Sequence, residues 1–140
     1  MRRPTDRASV LMLMPAAILI VLLLGAIAVD SAIVYLEQRQ AYNVAFDAAN
    51  DAAGAGLDRD LIRTTGQLVH DPGRVREVAA ATVTASAMDG LRLVSARIDD
   101  GVVEVVVDVR VRHLFGQAFG GRSSETVRIA ARAQGELREP

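Results

Sequence analysis

Two histidines, His70 and His113, are the side chains best suited to proton transfer or metal binding near neutral pH. His70 stands beside Asp71, but one His with one Asp falls short of the ligands a zinc site needs. Asp71-Pro72 reads more simply as an N-cap followed by a first-turn proline. His113 follows Arg112 at the end of a strand-like stretch, a surface position. Ser123 and Ser124 lack the G-x-S-x-G setting of an activated serine. Gly116, Gly120 and Gly121 are not placed between a strand and a helix, as a phosphate loop requires. Asp99 and Asp100 precede Gly101 in a turn, with no alternating calcium ligands after them. Without Cys there is neither thiolate chemistry nor a disulfide. The expectation is a non-enzymatic protein with no catalytic residue, no metal, no cofactor and no small-molecule substrate. Asp30 is the remaining candidate, and two readings of it stay open. It is a polar lock between packed helices, or a solvated charge at a membrane boundary.

The setting of Asp30 is the clearest feature of the chain. No charged residue occurs between Arg7 and Asp30, and the 22 residues Ala8–Val29 hold twelve Leu, Ile or Val. As a helix this run is roughly 33 Å long, enough to cross a hydrocarbon core of about 30 Å. Arg2, Arg3 and Arg7 precede it, while Asp30 and Glu37 follow. Positive flanks stay in the cytoplasm, which puts the C-terminal part outside. The expected plan is a cytoplasmic basic stretch at 1–7, a transmembrane helix at 8–29, a helical extension at 30–56 and a small head at 57–140. The competing reading is a signal peptide cut after Ala28, since Ala26 and Ala28 form an A-x-A pattern. That product is a secreted, non-enzymatic binding domain. Net charge is −1, so no attraction to nucleic acid is implied, and the bilayer is the expected partner. All sixteen basic residues are Arg, a codon-composition signal that says nothing about activity.

Beyond the apolar run nothing breaks a helix before Gly54 and Gly56. Val34, Ala41, Ala45, Ala48 and Ala52 recur at helical spacing, and Glu37, Gln40, Asn43, Asp47 and Asn50 form another, polar stripe. Ala41, Ala45, Ala49 and Ala53 also fall four apart, so the helix can approach another backbone closely. Asp30, Ala41, Ala45, Ala48 and Ala52 form the candidate helix-packing interface. Its partner is either the chain's own sheet or another subunit. Residues 57–70 suggest a short helix and a short strand near Gln67 to Val69. Asp71-Pro72 opens a second helix over about 72–88, closed by Gly90 as C-cap. Leu91 to Ile98, the turn Asp99-Asp100-Gly101, the alternating stretch Val103 to Arg112 and a strand over about 124–135 make an antiparallel meander. Its apolar face needs a helical cover. The fold class is α+β, a long N-terminal helix half in the membrane with a pilin-like head. Leu114, Phe115 and Phe119 form a candidate apolar contact loop between two strands. Phe115 and Phe119 either fold back to close the end of the sheet or protrude towards the bilayer or a partner.

Pro15, Gly25, Val29-Asp30, Arg39 and the Ala/Asn/Asp run from Ala45 to Gly56 carry a resemblance. Over roughly residues 7–58 the chain resembles TadE/TadG-like proteins of the Flp (tight-adherence) pilus machinery, of the actinobacterial type. The prepilin cleavage pattern, a Gly with a Glu five residues into the apolar stretch, is absent from 7–13, so the likeness is nearer TadG. The resemblance implies an uncleaved, membrane-anchored accessory or structural component of a pilus-type assembly or secretion apparatus. It implies other Tad membrane or pseudopilin subunits as partners.

Overall fold

The structure is a computed structural model that describes residues 5–66, 69–116, 121 and 123–134. Side chains are described from Leu13 onward, except those of Arg59 and Thr65. One helix, α1, runs unbroken from Thr5 to Ala55. At 51 residues it is about 76 Å long, more than twice what a bilayer core requires. Its first half is long and apolar enough to cross a membrane. The side chains of Leu13, Ile18, Val21, Leu22, Leu24 and Ile27 are all more than half exposed.

The second half of α1 is a wall of the core. Ala41, Ala45, Ala48, Ala49, Ala52 and Ala53 are fully buried. α1 ends where Gly56 turns the chain. A Cβ on Gly56 would meet Ala52 O and Val75 Cγ2, so no larger residue fits. Gly56 O then accepts from Asp71 N at 2.9 Å, Asp58 N donates to Val69 O at 2.8 Å, and Leu57 pairs with His70 in an isolated bridge. Between these ties lies α2 (Arg59–Thr65), capped by Asp58. The strand expected near Gln67 to Val69 is not formed at Val69, and Gln67 and Leu68 lie outside the described residues.

α3 (Pro72–Ala85) starts on the Asp71 cap, whose carboxylate accepts from Gly73 N and Arg74 N. It ends three residues before the boundary expected from Gly90. Ser86 caps it, and Ala87 takes a left-handed φ of 51°. Gly90 instead turns the chain into the sheet at φ 75°, with Arg110 Cβ only 3.1 Å from where its own Cβ would stand.

Strands β1 (Leu91–Asp99), β2 (Val102–Arg112) and β3 (Ser124–Gln134) form an antiparallel sheet in the order β1-β2-β3. Asp100 (φ 49°) and Gly101 (φ 77°) are both left-handed, as a two-residue I′ hairpin demands. α1 covers β2 and β3, and α3 covers β1. Val103, Val105, Val107, Val109 and Val111 all point inward, at no more than 1% exposure. Alanine on the helix and valine on the sheet bring the two layers close without an aromatic. Ala45 to Ala53 thus share one core with the sheet and α3, and Ala41 packs with Val109 and Val111 in a second, smaller cluster. The division expected at residue 56 falls between α1 and the elements it covers.

The outer face of the sheet is wet. On the central strand Asp108 lies between Arg92 and Arg128, and Glu104 between Arg97 and Arg132. Arg128 Nε donates to Asp108 at 2.8 Å and Arg132 Nη2 to Glu104 at 3.0 Å. The hydrogen bond from Arg128 holds the Asp108 carboxyl below its ordinary value of 3.8. The pair therefore stabilises the fold fully above that value and is lost as the pH falls through the lowered folded one. An Asp108→Asn variant is expected to melt slightly below the wild type at pH 5–8, by a small margin because the pair is solvent-exposed. The gap between their melting curves should close under acid, where the wild-type carboxylate is protonated and the pair is lost.

Candidate functional site

The site is at the foot of the head, where α1 leaves its apolar half. Asp30, Val34, Glu37, Ala41, Ala45, Ala48 and Ala52 follow one another by three or four residues, so they share a face of α1. The upper part of this stripe is small and apolar, and its two acids lie at the lower end. β2 runs antiparallel to α1. Ala45 to Ala53 cluster with Val103 to Val107, and Ala41 clusters with Val109 and Val111. The end of β2 therefore descends to the level of the two acids.

Both acids are engaged there by the backbone. Glu37 Oε2 accepts from Arg112 N at 3.3 Å. Asp30 Oδ1 accepts from Leu114 N at 2.8 Å. Phe115 N donates to both Asp30 oxygens, each at 3.1 Å. Past the last strand pair, His113 N donates to Ser123 O at 3.0 Å. Asp30 thus clamps the loop after β2 onto α1. Beside the clamp is an open groove of about 420 Å³, lined by Ile27, Ser31, Val34, Tyr35, His113 and Phe115 among others.

Of the two readings of Asp30, the structure supports a polar lock, but the lock joins helix to loop within one chain. Ala41, Ala45, Ala48 and Ala52 are covered by the chain's own sheet and α3, so this small face is closed to another subunit's helix. Leu114 and Phe115 do not fold back over the sheet. They stay 64% and 41% exposed because the clamp holds their backbone against α1. Phe119 lies outside the described residues. His70 Nε2 is 3.1 Å from Ala53 O and ties α3's approach to the end of α1. No group of three or more His, Cys, Asp or Glu able to hold a metal occurs among the described residues.

One feature escaped the reading of spacing. Tyr35, Leu36, Tyr42 and Phe46 are exposed on α1, and the Tyr42 and Phe46 rings stack at 6.3 Å. Their recurrence away from the alanines is the signal that marks them, because a stripe read for its small residues hides the large ones on the other side.

Replacing Asp30 with Ala removes the acceptor for two N–H groups. Hydrogen bonds to a charged partner are worth about 1.5–3 kcal/mol, and solvent access puts this one at the low end. Amide exchange in the D30A variant is expected to speed up at Leu114 and Phe115 while remaining unchanged in β2 at Val105 and Val107.

No protein-family model, no curated protein and no solved structure matches the chain.

Proposed function

We propose that the chain is a single-span membrane protein, N-terminus inside and head outside, that serves as a non-catalytic structural or accessory subunit of a Flp (Tad) pilus-type assembly or secretion apparatus. The observation that carries this reading is α1 itself, one helix whose exposed apolar half continues into the buried wall of the head. An anchor built this way transmits position from bilayer to head without a hinge. The likeness of residues 7–58 to TadG-like proteins supplies the apparatus.

Side-chain roles support the non-catalytic part. Asp30 and Glu37 hold a loop and a strand end, Asp58 and Asp71 cap helices, Asp108 and Glu104 hold arginines, and His70 meets a carbonyl. Each has a structural task. The clamp also favours an anchor over release after Ala28. A cut there would leave Asp30 second from a new terminus, where the first turn of a helix frays. The test is an in-frame deletion in the source organism, scored for surface filaments and export by the apparatus. Loss restored by the wild-type gene is expected, and normal filaments and export would contradict the reading.

A further inference from the structure

We propose that Leu114 and Phe115 insert into the outer interfacial zone of the bilayer that α1 crosses, giving the head a second, lipid-facing contact. This rests on the reading that α1 spans the membrane. Asp30 is the first charge after the apolar run and therefore marks where the hydrocarbon ends. The backbone N–H groups of Leu114 and Phe115 bond directly to its carboxylate. Their side chains consequently hang at the level of the boundary, within a side chain's length of it. The direction of β2 gives the same placement independently. Its inward valines meet Ala45 and then Ala41, and the backbone at its end reaches Glu37, so its contacts step down α1.

The chemistry at this level suits lipid. Leu114 and Phe115 are exposed and carry no polar side-chain atom. The adjoining groove mixes Ile27 and Val34 with Tyr35 and His113, the amphipathic lining favoured where headgroups meet acyl chains. Lipid surrounds the helix at this height by construction, whereas a partner protein would have to displace it. Asp30 itself tolerates the boundary because two N–H donors satisfy its carboxylate. With α1 and the loop both held by the bilayer, the head is fixed at two points and keeps one tilt.

The chain has no Trp, so a single introduced indole reports its own surroundings. The Leu114→Trp and Phe115→Trp variants keep the clamp, because Asp30 binds backbone. Each full-length variant is reconstituted in phosphatidylcholine–phosphatidylglycerol vesicles containing lipids brominated near the headgroup or near the chain end. Leu22→Trp reports the middle of the span, and Tyr42→Trp reports the head well above the membrane. Blue-shifted emission at 114 and 115, quenched severalfold more by shallow than by deep bromines, is expected. Leu22→Trp should be quenched by deep bromines and Tyr42→Trp by neither. Quenching at 22 with water-like, unquenched emission at 114 and 115 would overturn the lipid contact alone. Blue-shifted but unquenched emission at 114 and 115 would also overturn it, in favour of a protein partner. No quenching at position 22 would overturn the spanning reading itself.

Discussion

An Ala45→Leu, Ala52→Leu double variant is expected to lose the cooperative fold of the head. Both alanines are fully buried between α1 and the sheet, two turns apart on one face. The residues opposite are Val103, Val105 and Val107, which have no exposed surface to yield. Overpacking a closed site costs about 1–3 kcal/mol each, occasionally more. A domain of this size has roughly 5–10 kcal/mol in total, and two wedges under one helix strain the same contact. The layers should separate. Hydrogen exchange of the full chain in detergent reads this directly, as loss of protection along β2. Ala81→Leu, on the exposed side of α3, is the matched control and should leave protection unchanged. Full protection in the double variant would mean that the alanines do not face a closed core.

The second large effect concerns where the folded unit begins. Residues 57–140 alone are expected to show no cooperative melting transition, whereas residues 31–140 should melt as one unit. Removing α1 uncovers five inward valines of β2, each fully or almost fully buried in the intact chain. At about 1.5 kcal/mol or more per buried Val, their exposure exceeds the stability of so small a domain. A sequence division at residue 56 leads instead to an independently folded head that the helix merely stabilises. The expectation of no independent transition rests on the alanines being core residues. Calorimetry of the two fragments decides. A sharp transition in 57–140 would restore the independent head.

Much of the architecture was legible in the residues. The uncharged run before Asp30, the alternating valines of β2 and the Asp-Gly turn each carry a strong periodic or conformational signal, and each element is where that signal places it. The end of α3 was not. Gly90 is a good C-cap, but Ser86 and a left-handed Ala87 close the helix first, and local propensity rarely favours alanine there. The irregularity of β1 was hidden too. The register slips between Leu93 and Ser95, so Leu91 and Leu93 face the core in one phase and Ala96 and Ile98 in the other. In Leu-Arg-Leu-Val-Ser-Ala-Arg-Ile neither phase dominates, and only pairing with β2 fixes the bulge.

At the foot of the head, sequence pointed to Asp30 and to the loop at Leu114 and Phe115 as separate features. Nothing local joins them, because 84 residues separate Asp30 from Leu114. Their meeting follows from the length of β2 and its antiparallel course along α1, quantities set by tertiary packing. The same holds for Glu37, which reads as part of a solvated stripe yet accepts from the end of β2.

The central claim is that an intact helix anchors an external head, and the absence of Cys makes it directly measurable. Single Thr5→Cys and Gln40→Cys variants are expressed in cells and treated with a membrane-impermeant maleimide, before and after permeabilisation. The prediction is a full-length protein of 14.9 kDa in the membrane fraction, labelled at position 40 in intact cells and at position 5 only after permeabilisation. A shortened protein lacking position 5, or label reaching position 40 only after permeabilisation, would contradict the account.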